Sequence, residues 1–137
     1  MLVRDICNRD FIYGHQGLEL HSAVALMRTY LLDQLVIVDG FKPVGILNGI
    51  DILLKVTAEN LKLSDFTVAD VMQYEFVTLH EAVDLNNALC RMRDHGEGFA
   101  PVVSSQNHVI GILTAHDILD IFADELSSLA MLMRNRM

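Results

Sequence analysis

The sequence predicts an α+β fold made of a duplicated β-α-β-β-α unit, its two copies packed with pseudo-two-fold symmetry. Three observations carry this. The chain matches itself at a fixed offset, each copy contains one helix-period stripe, and each stripe is followed by a pair of β-rich runs joined by a short turn. Sliding the chain by 65 residues lays Val3 to Val38 on Val68 to Val103, with identities at Val3/Val68, Asp5/Asp70, Phe11/Phe76, His15/His80, Leu20/Leu85, Ala23/Ala88, Met27/Met92, Arg28/Arg93 and Val38/Val103. After a one-residue length change in a turn the offset becomes 66, and Gly45 to Leu53 falls on Gly111 to Leu119 with six of nine positions identical.

The elements follow in order. A short opening helix is expected around Val3–Cys7, and again around Val68–Met72. A brief strand follows at Phe11–Tyr13, and in the second copy at Phe76–Leu79. Next comes a helix whose apolar face is Leu20, Ala23, Val24, Met27, Tyr30 and Leu31; the equivalent face is Leu85, Ala88, Leu89 and Met92. Leu35–Asp39 and Val44–Leu47 read as strands joined at Asp39-Gly40-Phe41-Lys42, a hairpin signal. Their counterparts are Phe99–Val103 and Val109–Leu113, joined through Ser104-Ser105-Gln106-Asn107. A helix closes each unit, from Gly49 to Glu59 and from Ala115 to Arg134. Asn60–Thr67 is the linker, giving a first domain over 1–60 and a second over 61–137. Neither half covers its own sheet, so the two should pack face to face.

Composition narrows the function. The chain has 137 residues and is 52% hydrophobic with two prolines, which suits a packed fold and not a disordered one. Eighteen acidic against ten basic residues give a net charge of -8, and no stretch concentrates Lys and Arg. Binding to nucleic acid or an anionic membrane is not expected from such a surface. No apolar run reaches membrane-spanning length. The N-terminal residues lack the apolar core of a signal peptide, and the expected location is the cytoplasm. Cys7 and Cys90 show no metal or redox spacing and read as reduced core thiols. The six histidines show no metal spacing either. A nucleophile motif, a lysine-bearing phosphate loop and a Cys–His pair are all missing, so no enzyme activity is expected.

The succession of an apolar strand, an amphipathic helix ending in Met, the strand Phe99-Ala100-Pro101-Val102-Val103 and the run Gly111-Ile112-Leu113-Thr114-Ala115-His116-Asp117-Ile118-Leu119 resembles the cystathionine-β-synthase (CBS) domain. The likeness extends from about Val3 to Phe122 and is closer in the second copy. It implies a tandem regulatory module of the Bateman type, often a dimer, with clefts that commonly take adenosine-containing ligands.

Site residues follow from both lines of argument. A strand ending at Thr114 runs directly into a helix, and a helix N-terminus offers unpaired N–H groups and partial positive charge suited to phosphate. Thr114 adds a hydroxyl, and Asp117, one turn later, offers acceptor oxygens suited to ribose hydroxyls; the resemblance implies the same roles. Thr114-x-x-Asp117 is equally a capping-box spacing, and Asn48-x-x-Asp51 is its counterpart. Asn48 replaces the expected hydroxyl residue and Val36 the proline seen at Pro101. One competent site at Thr114 and Asp117 is therefore expected, with Asn48 and Asp51 the weaker pair. By family position, Val77 and Thr78, next to Phe76, and Gly98, Phe99 and Ala100 would form the adenine slot. His116 is the best-placed cation, ahead of His95, Arg91 and Arg93, which favours a monophosphate over a triphosphate. The expected function is a non-catalytic module that binds an AMP-, ADP- or ATP-like regulatory ligand, needs no cofactor, forms a homodimer and signals to a separately encoded client. The alternative is a ligand-free dimerisation module with vestigial clefts. The C-terminal stripe Ile118, Ile121, Phe122, Leu126, Leu129, Leu132 and Met133 supports the dimer in either case.

Overall fold

A computed structural model describes residues 1–134. The last three residues assigned to the second domain, 135–137, lie outside the described residues. The first half runs α1 (Val3–Ile6), β1 (Tyr13–Gly14), α2 (Leu20–Thr29), β2 (Gln34–Asp39), β3 (Lys42–Asn48) and α3 (Gly49–Glu59). Two 3-10 turns, Leu63–Asp65 and Val68–Asp70, lead into β4 (Leu79–His80), α4 (Leu85–His95), β5 (Phe99–Val103), β6 (Val109–Thr114) and α5 (Ala115–Arg134). The order is the repeated unit read from the sequence. Two details differ: the opening helix of the second copy is a single 3-10 turn, and the short strands sit later, at Tyr13–Gly14 and Leu79–His80.

Each half forms a three-stranded sheet, β1-β2-β3 and β4-β5-β6. In each, the short strand pairs in parallel with the middle strand, and the middle and last strands form an antiparallel hairpin. The register shifts once in each hairpin, between Ile37 and Val38 and between the equivalent Val102 and Val103. Asp39 pairs with Lys42, so Gly40 and Phe41 make a two-residue turn, and Gly40 has the positive φ (62°) that such turns demand.

Three apolar clusters hold the molecule. Leu20, Ala23, Met27, Leu35, Ile37 and Leu47 build the first core, and Leu85, Ala88, Met92, Ala100, Val102 and Leu113 the second. The third lies between the sheets, where Val36, Val38, Ile46 and Ile112 meet Phe11, Phe76 and Phe99. β2 is therefore buried on both faces, which explains its unbroken apolar run where a half-exposed strand would alternate.

The opening segments are exchanged. Val3 belongs to the second core, whereas Phe66, Val68 and Met72 belong to the first. The Val3 N–H donates to Val83 O at 2.9 Å, and the Val68 N–H to Leu18 O at 2.9 Å. Each segment then runs along the last strand of the other half. Asn8 and Ile112 exchange backbone bonds of 2.8 and 2.9 Å, and their repeat equivalents Gln73 and Ile46 exchange bonds of 2.8 and 3.0 Å. The two halves complete each other's cores.

Candidate functional site

β6 ends at Thr114 and α5 begins at the next residue, so the strand delivers its last side chain to the mouth of a helix. Thr114 Oγ1 accepts the Asp117 N–H at 3.1 Å, which makes Thr114 the N-cap. The Ala115 N–H donates to Gly98 O at 2.8 Å. Two first-turn donors that the sequence reading offered to a phosphate are thus already engaged within the fold. Among the described residues, none donates to the Asp117 carboxylate, which leaves it able to accept.

A cavity of about 480 Å³ opens beside this carboxylate, between the two halves. From the second half it is walled by Phe99, Ile112, Thr114 and Asp117. From the first half come Asn8, Asp10, Phe11 and Ile12 on the segment that crosses to β6, with Tyr30, Leu32 and Gln34 beyond the end of α2. The crossing segment is what brings them together, through the Asn8–Ile112 pairing. The Asn8 side chain shapes it further, accepting the Asp10 N–H at 2.9 Å in a local turn.

Among the described residues the cavity wall has two acidic groups, Asp10 and Asp117, and no Lys, Arg or His. Arg9, between Asn8 and Asp10, turns its guanidinium to Arg4 O at 2.9 Å. His116, expected to serve as the cation, is exposed and outside the wall. Phe99, Ile112, Phe11 and Ile12 make the opposite contribution, an apolar slot of the kind a flat heteroaromatic ring occupies.

The counterpart motif is tied up. Gln34 Nε2 donates to Asn48 Oδ1 at 2.7 Å, Asn48 Nδ2 donates to Asp51 Oδ2 at 3.0 Å, and Gln73 Nε2 donates to the same oxygen at 3.1 Å. Asn48 is the one buried polar residue among those described, at 9% exposure. Asn48 and Asp51 work here as structure, holding the crossing segment at Gln73 to the end of β3.

The remaining expected contacts divide. Val77 and Thr78 wall a different cavity of about 660 Å³ together with Glu75, Phe76, His95 and Glu97. The side chains of Val77 and Ala100 are buried in the second core. Gly98 contributes its carbonyl to Ala115 and stands outside the wall. In place of Phe76 and Val77, the cleft at Thr114 holds Phe11 and Ile12, their repeat equivalents. The exchange of opening segments explains this, since each cleft is built from one unit's last strand and the other unit's opening segment. Cys90 is exposed and Cys7 half-buried, which corrects their reading as core thiols.

Comparison with known proteins agrees with this geometry. The CBS domain profile matches residues 3–57 and 68–124. An uncharacterized protein of Methanopyrus kandleri is 28% identical over 87% of this chain and 61% of its own length. The L-aspartate semialdehyde sulfurtransferase of Methanocaldococcus jannaschii is 30% identical over 88% of this chain but only 23% of its own. The chain therefore corresponds to one part of these longer relatives. Among solved structures, the CBS domain pair of protein MJ0100, in complex with 5′-methylthioadenosine and S-adenosyl-L-methionine, superposes with a TM-score of 0.79 at 29% identity, covering 91% of this chain and 98% of that one. With both repeats matched in sequence and the duplicated sheets matched in space, the chain belongs to the CBS domain family, as a tandem pair.

Proposed function

We propose that this CBS pair is a non-catalytic regulatory module that binds an adenosine-containing ligand in the cleft at Thr114 and Asp117 and signals to a separate partner protein. One observation carries the reading: the Asp117 carboxylate has no hydrogen-bonding partner among the described residues and lines a cavity with an apolar slot. A nucleoside answers both features. Its ribose hydroxyls would donate to Asp117, and its base would lie among Phe11, Ile12 and Phe99. The MJ0100 pair, bound to two adenosine compounds, supports the class. AMP, ADP and ATP are one branch of that class and the uncharged and sulfonium nucleosides the other. A ligand here would touch both halves at once, and so would bias their relative arrangement.

Thermal unfolding with a panel of adenosine compounds tests the reading. A ligand of the native state present at a hundredfold excess over its Kd stabilises by about 2.7 kcal/mol. The expected result is a raised midpoint with at least one compound and none in Asp117→Ala. If no compound shifts the wild-type midpoint at millimolar concentration, the nucleoside reading falls and the ligand-free dimerisation module takes its place. The exposed apolar residues of α3 and α5 favour that second reading.

A further inference from the structure

We infer that the cleft at Thr114 selects uncharged or cationic adenosine derivatives, thioether and sulfonium nucleosides among them, and discriminates against their phosphorylated counterparts. This rests on the adenosine-binding reading and adds the ligand's charge to it. Three features of the cleft converge.

The first is the sign of the wall. Asp10 and Asp117 face the cavity from opposite halves, and among the described residues no cationic side chain lines it. A ribose held by Asp117 carries its 5′ substituent within the same small cavity. A phosphate there would sit in the field of two carboxylates, and like charges brought together in a cleft are costly.

The second is the state of the helix terminus. The N-terminus of α5 is the feature that would ordinarily offset an anion. Its Ala115 N–H is given to Gly98 O and its Asp117 N–H to Thr114 Oγ1. To use either of these two N–H groups, a phosphate would have to displace a bond the fold already makes. The third is the direction of Arg9, whose guanidinium is held by Arg4 O. That bond turns it toward the opening helix, and Arg9 is not part of the cavity wall.

A thioether at the 5′ position asks for none of this. It needs an apolar neighbour, and Ile12, Leu32 and Ile112 line the wall. A sulfonium would in addition be drawn toward the two carboxylates.

The test is a set of titration-calorimetry measurements on the whole chain with adenosine, 5′-methylthioadenosine and AMP, repeated on Asp10→Asn. Asp10 is exposed, and the local turn uses its backbone, so the variant should keep the fold. The expected result is that the wild type binds 5′-methylthioadenosine at least about tenfold more tightly than AMP, and that Asp10→Asn narrows the ratio severalfold. AMP binding as tightly as the thioether would overturn the selectivity while leaving the adenosine-binding function standing. An unchanged ratio in Asp10→Asn would remove Asp10 as its source. If none of the three binds, the adenosine reading falls and this inference falls with it.

Discussion

Asn8 and Ile112 lie more than a hundred residues apart and are joined by two backbone hydrogen bonds, of 2.8 and 2.9 Å. Through that bridge the first unit's opening segment is tied to the last strand of the second unit's hairpin. Its mirror, Gln73 with Ile46, does the same in reverse. Duplication therefore produced more than two stacked copies. It produced two cores that share chain, and two clefts that each draw walls from both units.

The crossing is close because glycine permits it. A Cβ at Gly111 would stand 2.5 Å from Cys7 Sγ and 3.0 Å from Asn8 O; one at Gly45 would stand 2.8 Å from Met72 Sδ and 2.9 Å from Gln73 O. Backbone oxygens cannot rotate away as a side chain can. Gly111→Ala and Gly45→Ala should each destabilise by about 1–3 kcal/mol in urea unfolding. Gly98→Ala, whose added Cβ meets Ala115 at an ordinary 3.6 Å, serves as the mild control. If Gly111→Ala unfolds at the same urea concentration as the control, the crossing is looser than these distances state.

The two repeat-equivalent motifs should respond differently to substitution. Asp51 accepts from Asn48 and Gln73, and Asn48 also accepts from Gln34. Asn48→Ala leaves Gln34 Nε2 without its acceptor and takes one of two donors from Asp51, and should cost about 1–3 kcal/mol. Asp117→Ala removes a carboxylate to which none of the described residues donates, so the unfolding midpoint without ligand should barely move. Its effect should appear in nucleoside binding alone. Equal loss of stability in the two variants would contradict this division of roles.

The thiols should differ in reactivity. Burial pushes the Cys7 thiol above its usual range, opposed by the nearby Arg9 guanidinium and reinforced by Asp5 and Glu81. A raised pKa keeps this thiol neutral at neutral pH, and the thiolate is the nucleophile. Cys90 lies exposed on α4. Iodoacetamide near neutral pH should therefore alkylate Cys90 well before Cys7, as peptide mass mapping would reveal. The sign carries over to stability. Whatever the neutral Cys7 thiol contributes is present below the ordinary thiol pKa and is lost as pH rises through the raised one.

Much of this architecture was legible because duplication writes the same physical pattern twice. Leu20, Ala23 and Met27 and their equivalents Leu85, Ala88 and Met92 all prove buried, since helical periodicity records which face meets the core. The strand pairs were equally readable, through their β-branched runs and the Asp39-Gly40 turn. The cleft was half legible. Thr114, Asp117 and Phe99 share one cavity, but Val77 and Thr78 wall another, because the exchange of opening segments is a long-range choice that local patterning does not record. The bonds that hold Asn48 and Asp51 come from Gln34 and Gln73, neither of which any spacing rule connects to them.

Leu31 shows where the repeat diverged. It stands at φ 54°, the left-handed region, where the equivalent position in the second unit is Gly96 at φ 65°. Both helix ends close in the same way, with Leu32 N–H donating to Met27 O at 2.8 Å and Glu97 N–H to Met92 O at 2.9 Å. A leucine there pays a conformational penalty that glycine avoids, and at 90% exposure it recovers little by burial. Leu31→Gly should raise stability by about 0.5–1 kcal/mol, read as a higher thermal midpoint. A lower midpoint would mean that Leu31 makes an apolar contact outside this single chain.

The C-terminal helix gives the corresponding test of assembly. Ile118 is the one buried residue of α5, while Leu119, Leu126, Leu129, Leu132 and Met133 are 54–65% exposed. On α3, Ile50, Leu53 and Leu54 are each 60% exposed. Apolar faces of this extent on the two closing helices fit the proposed homodimer, in which each would be covered by its counterpart. The buried core extends no further along the chain than Ile118, so truncation after Phe122 should leave the fold intact. Sedimentation should then show a dimer for the full chain and a monomer, or a much weaker dimer, for the truncated one, with circular dichroism confirming retained structure. A truncated chain that sediments as a dimer would place the interface on α3 instead, and Leu53→Glu would be the substitution expected to break it.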